Sequence, residues 1–185
     1  MQILLFILLI SLSFTEIFHV PSEYPTIQEG INVAQNGDTV LVDQGIYYEN
    51  PKITRSITLA SNALFDDLSE WAEFDDQIFW QWQVTNEHIN NTIIDGSTAT
   101  DDFGSTILIY PQDNECITPI IFGFTIQNGF GTYVERPTDS ESFEYIGGGI
   151  LFDISNPKIY YNQFLNNGST NIREGGGIYG TNLDE

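Results

Sequence analysis

The sequence predicts an all-β chain wound as a repeat solenoid. Short apolar alternations recur between closely spaced turns, with no long helical pattern between them. The word Gly-Gly-Gly-Ile appears at 147–150 and again at 175–178, an interval of 28 residues. Repetition at that spacing is a solenoid signal, because a unit that cannot bury its apolar face alone must stack on its neighbour. A sandwich of hairpins is the alternative. It accounts for the strands but not for the same words returning in the same order.

The elements follow in order. Residues 3–10 of MQILLFILLISLSF are an unbroken apolar run, bounded by Ser11 and Ser13. Eight residues are too few to cross a bilayer. The small residues behind them fit a secretory signal over 1–13, though no Lys or Arg precedes the run. The rest of the chain is then expected outside the cytoplasm, secreted or at the cell surface. Thr26-x-x-Glu29 is a capping box, and Ile27, Ile31 and Ala34 share one helical face, so a short helix is expected over 26–34. Asn36-Gly37-Asp38 stops it. Val40 and Val42 alternate with Leu41 and Asp43 in strand period, Gly45 reads as a turn, and Ile57 and Leu59 mark a further strand.

Residues 62–92 break the rhythm. They hold all three tryptophans and six acids between Asp66 and Asp76. Leu64, Leu68 and Trp71 fit one face of a short helix, so an insertion packed on the outside is expected. Rhythm returns at TIIDG, and Ile107 and Ile109 then fall on one face. Ile120, Phe122, Phe124 and Ile126 then keep a period of two, which places them on one face. Asn128-Gly129 turns the chain, and 130–145 reads as a polar second insertion. Ile150, Phe152 and Ile154 alternate. Ile159 and Tyr161 follow a corner at Pro157, Phe164 lies beyond Asn162, and Ile178 is expected to stack on Ile150 in the core.

The order of VPSEYPTIQEGINVAQNGDTVLVDQGIYYENPKITRSITLAS, IIDG, GFTIQNG and two GGGI words resembles the secreted right-handed parallel β-helix proteins of the pectin-lyase-like superfamily. The resemblance spans 20–185, interrupted by the insertions at about 62–92 and 130–145. It implies a right-handed parallel β-helix with a short N-terminal capping helix, each coil giving short strands to parallel sheets. Physical chemistry agrees: glycine permits positive φ at a corner. Asn128, Asn162 and Asn167 suit left-handed turns and hydrogen-bonded ladders. The chain stops soon after the second GGGI word with no cap in sight, so the domain is expected to be an N-terminal fragment, incomplete at its C-terminus.

Composition narrows the partners. Aspartate and glutamate number 26 against five lysines and arginines, a net charge of −21. Such a chain repels nucleic acid and anionic membrane surfaces. An acidic substrate is expected only through a bridging cation. The charge also fits plain solubility or a salty medium. Cys116 stands alone and forms no internal disulfide. The glycine words are not phosphate loops, since a strand rather than a helix follows each.

The superfamily resemblance brings three chemistries to test. Methylesterase words of the type Gln-Asp-Thr-Leu and Asp-Phe-Ile-Phe-Gly are absent, and LFDIS at Asp153 is a faint echo. For a lyase base, Arg136 and Arg173 are the spare cations, in no acid–base grouping. The paired aspartates and Gly-His-Gly of polygalacturonases are missing, and the histidines are His19 and His88. No catalytic residue is therefore assigned. Asp95, Asp101 and Asp102 lie close in sequence, but their spacing matches neither an EF-hand nor a glycine-rich calcium repeat, so calcium is a weak candidate and no cofactor is expected. Trp71, Trp80 and Trp82 are candidate glycan contacts, since an aromatic plane suits the C–H face of a sugar. Equally, they fit a role in pinning the insertion to the body. Asn90 and Asn167 begin glycosylation sequons. The expected function is adhesion or polysaccharide binding by a secreted or cell-surface module without catalysis. The expected partner is a polysaccharide or cell-surface glycan, with no nucleic acid and no membrane insertion once the signal is removed. The alternative is a polysaccharide lyase or pectinesterase-like enzyme whose site lies partly beyond residue 185.

Overall fold

The computed structural model describes residues 15–76, 81–99, 103–113, 115–135, 143–168 and 172–181. The expected signal over 1–13 lies outside them. From the N-terminal side come β1 (Ile17–Val20), α1 (Ile27–Val33), β2 (Thr39–Val42), β3 (Gly45–Tyr47), β4 (Lys52–Ile53) and β5 (Thr58–Ser61). Next are β6 (Ala72–Asp75), β7 (Gln81–Val84), α2 (Glu87–Asn91), β8 (Thr92–Asp95), β9 (Phe103–Gly104) and β10 (Ile107–Ile109). Then follow β11 (Ile120–Phe122), β12 (Thr125–Gln127), β13 (Gly131–Glu135), β14 (Phe143–Ile146) and β15 (Ile150–Asp153). The last are β16 (Lys158–Tyr160), β17 (Gln163–Leu165), β18 (Ile172–Glu174) and β19 (Ile178–Thr181).

The protein is strand-rich, its main sheets are parallel, and its helices are few and short. The first sheet runs β1-β2-β5-β11-β16, the second β3-β8-β12-β17, and the third β4-β10-β15-β19. In each, order across the sheet follows order along the chain. Apolar residues meet in register. Val40 pairs with Leu59, Leu59 with Ile121, and Ile121 with Ile159 in the first sheet. Ile94 pairs with Ile126 and Ile126 with Phe164 in the second. Ile107 pairs with Ile150 and Ile150 with Ile178 in the third. All of these residues but Ile178 face one shared core, where burying such a side chain contributes about 1.5–3 kcal/mol. The N-terminal helix forms as its capping residues dictate. Thr26 accepts from the Glu29 amide at 3.1 Å, and Ile27, Ile31 and Ala34 turn inward onto the same core.

The glycine words pair directly. Gly148 N donates to Gly175 O, Gly149 N to Gly176 O and Ile150 N to Gly177 O, at 2.9–3.1 Å. Gly147 and Gly175 open each word at φ of +62° and +66°, where a side chain would be strained. Asparagines tie neighbouring turns together. Asn162 accepts from Phe124 N and donates to Ile121 O, each at 2.9 Å. Asn167 accepts from Gly129 N and donates to Ile126 O, at 3.0 and 2.8 Å. Outside glycine, left-handed geometry falls on Asn128, Ile154, Tyr161 and Asn166 among the described residues, so Asn162 and Asn167 act as ladder residues just after the bend.

Several expectations are corrected. Gly45 starts a strand rather than a turn. No helix carries Leu64, Leu68 and Trp71: a 3-10 turn (Asn62–Phe65) precedes the β6–β7 hairpin. Residues 130–145, expected as a polar insertion, carry β13 and most of β14, which pair antiparallel and join β9 and β18 in a fourth sheet. The alternation from Ile120 to Ile126 changes phase at Gly123, whose φ is +80°. Ile121, Phe124 and Ile126 therefore face the core, while Ile120 and Phe122 face outward, half-buried. Tyr161 bends outward and is 40 % exposed, and Ile178, although it stacks on Ile150, is also 40 % exposed.

Candidate functional site

The β6–β7 hairpin has two unlike faces. Ala72 pairs with Val84 and Phe74 with Trp82, so these four share one face by the period of two. The intervening pairs, Glu73 with Gln83 and Asp75 with Gln81, carry the polar face, where Gln83 donates to Asp75 at 3.1 Å. The apolar face is open: Trp82 is 70 % exposed and Phe74 46 %. Their rings meet edge to face at 5.6 Å. Trp71, Ala72, Trp82 and Val84 line a shallow recess of about 400 Å³. On the body side, Trp71 meets Tyr161 at 5.5 Å and Tyr161 meets Phe122 at 5.3 Å. Trp71 thus pins the hairpin to the body while Trp82 stays open to solvent. Trp80 lies outside the described residues.

Polar contacts hold the base of this hairpin. Trp71 O accepts from Thr85 N at 2.8 Å and Asn86 N at 3.2 Å. Asp66 accepts from Asn86 Nδ2 at 2.8 Å and lies 2.7 Å from His88 Nδ1. The Asn86 bond, followed by that from His88, holds the Asp66 carboxyl below the usual aspartate range. Sequence reasoning missed Asp66 and His88, which are 22 residues apart and brought together only by the hairpin between them.

Asp95 serves the fold. It is 4 % exposed and accepts from Ser97 N, Gln127 Nε2 and Asn128 Nδ2 at 2.8–3.0 Å. Burial pushes its carboxyl up, but these bonds together outweigh burial and hold it below the usual value. A cation there would have to displace those donors. Asp101 and Asp102 lie outside the described residues. Among the described residues, no three His, Cys, Asp or Glu side chains gather as a metal site. Both sequon amides are engaged, Asn90 with Val84 O and Asn167 with Ile126 O. Arg136 is outside the described residues, and Arg173 lies in β18.

A second recess was not foreseen. Lys52 and Arg55, two of the five cations, line a pocket of about 410 Å³ with Gln28, Asn32, Thr54 and Tyr110. Tyr110 also borders an apolar pocket of about 420 Å³ between the third sheet and the β13–β14 hairpin. Lys52 meets Tyr110 only through folding, since β4 pairs with β10, more than fifty residues on. No local pattern in the sequence announces that meeting. No described helix is long and apolar enough to cross a membrane.

No family model, no curated protein and no solved structure matches the chain.

Proposed function

We propose that the chain is a secreted or cell-surface right-handed parallel β-helix module, of the pectin-lyase-like kind, that binds polysaccharide without acting on it. Support for the coil comes from three parallel sheets whose strand order follows the chain, and from the pairing of the two glycine words. Repeating segments that contact mainly their neighbours produce such ladders. The observation that carries the binding reading is the open aromatic face of the β6–β7 hairpin, where Trp82 stands beside a recess walled by Trp71. A soluble protein gains nothing in stability from an aromatic ring left mostly in water. The same ring gains contact area when a sugar's C–H face covers it.

Glycan-array binding and affinity electrophoresis of the full chain test this. Trp82→Ala should weaken retardation by the bound glycan by about thirtyfold, the scale of a buried aromatic anchor in an interface. Its melting temperature should stay unchanged, because the ring is 70 % exposed. Unchanged affinity in the variant sinks the binding reading. Polysaccharide cleavage that one point mutation abolishes sinks the non-catalytic reading.

A further inference from the structure

Two recesses, one mainly apolar and one basic, adjoin at Tyr110 beside the third sheet. Lys52 on β4 pairs with Leu108 on β10, and Leu108 with Leu151 on β15, so these side chains form one row across the sheet. Leu108 and Leu151 are buried although they point away from the shared core, because the β13–β14 hairpin overhangs them. Val134 and Ile146 form that hairpin's share of the apolar wall. Lys52 Nζ sits 4.5 Å from the Phe103 ring centroid, and Phe103 lines the apolar pocket while Lys52 lines the basic one. Tyr110 lines both. The trough is mainly apolar, with Asp153 as the carboxylate in its lining, and it adjoins the cationic recess at Tyr110.

Among the described residues, the cations at that end have no acidic partner within ion-pair distance. The ion pair found among the described residues is His88 with Asp66. Acids outnumber cations 26 to five, yet Lys52 and Arg55 share a pocket with no described carboxylate paired to either. Arg55 donates from Nη1 to the carbonyls of Ile31, Asn32 and Ala34 at 3.2–3.4 Å, which fixes its guanidinium at the pocket wall. The net charge of −21 opposes an incoming anion at long range. At physiological salt that repulsion is screened beyond roughly 8 Å, while a direct contact with two cations is screened far less. Locally, two cations line one recess and one carboxylate, Asp153, lines the other.

We infer that this groove binds a medium-chain carboxylate amphiphile, its acyl chain against Phe103, Leu108 and Leu151 and its carboxylate at Lys52 and Arg55. A saccharide suits the trough poorly, since each sugar carries several hydroxyls to satisfy and the lining is mainly apolar. The Thr132 hydroxyl on that wall is already bonded to Ser105 at 2.7 Å. This site is separate from the tryptophan hairpin, and its success or failure is independent of glycan binding.

Calorimetry with the full chain tests it, using hexanoate, octanoate, decanoate and decanol below their micelle-forming concentrations. Affinity should rise about fourfold per added methylene. Decanol should bind at least about tenfold more weakly than decanoate, the worth of one charge-assisted contact. Lys52→Gln should bring decanoate toward the decanol level, and Val134→Asp should weaken both. Absence of binding, affinity independent of chain length, or equal affinity for acid and alcohol overturns the inference. Those three outcomes are read on the unaltered protein, so a variant that folds poorly leaves the test intact.

Discussion

Single side chains in this protein do two jobs at once, and Asp95 shows the consequence. Its carboxylate caps the 3-10 turn Gly96–Thr98 and holds Gln127 and Asn128 of the neighbouring strand and turn. Its folded value lies below the ordinary aspartate value of about 3.9, so it binds fewer protons folded than unfolded in the window below that value. The stability it contributes is complete above about pH 4 and is lost as pH falls through the folded value. Asp95→Asn presents an amide donor to Gln127 and Asn128, which are donors already. The variant should lose about 1–3 kcal/mol at pH 7. In urea unfolding, its gap from the parent protein should narrow by pH 3. A gap that stays constant with pH would show that the charge is not what these bonds use.

At the scale of elements, the decisive positions are those where the backbone resets the side-chain phase. Gly123 separates β11 from β12 and lets Phe124 enter the core one residue out of step with Ile120 and Phe122. A Cβ there would meet Ser61 and Ala63 and stand at a left-handed φ. Gly123→Ala should therefore cost about 2–5 kcal/mol, summing the left-handed penalty and local overpacking. Thermal unfolding checks this, and a shift below one degree would contradict it. The same residue shows what was legible beforehand. Ile107 and Ile109 keep an uninterrupted period, and the single face it predicts for them is the core face. Ile120 to Ile126 kept the same period in sequence but not in space, because periodicity assumes an extended backbone throughout. The β6–β7 hairpin was illegible for another reason. Its apolar face of Ala72, Phe74, Trp82 and Val84 spans two strands, so neither strand alone shows more than two apolar positions. Trp71 and Trp82 were legible as candidates from residue type. Lys52 with Tyr110 was not, since only the pairing of β4 with β10 unites them.

For the whole molecule, charge is the term that conditions set most freely. Few cations offset the 26 acids, and His88–Asp66 is the ion pair among the described residues, so salt has little favourable pairing to screen. It has much repulsion to screen. Raising sodium chloride from about 0.01 M to about 0.15 M shortens the screening length from roughly 30 to 8 Å. The melting temperature should rise across that range, as self-repulsion in the compact state weakens. Differential scanning calorimetry at fixed pH measures it, and a fall with salt would mean that attraction between unlike charges dominates.

Ile107, Ile150 and Ile178 occupy matching positions in one sheet, yet the chain between successive members is 43 residues long in one case and 28 in the other. The pairing ignores that difference: the longer path is taken up by excursions such as β13–β14 on the outside. Doubling an excursion costs only about 0.6 kcal/mol in closure entropy. The surface is thus editable in a way the interior is not, and the same scaffold can accept a grafted peptide between β13 and β14 and display it without relearning how to fold.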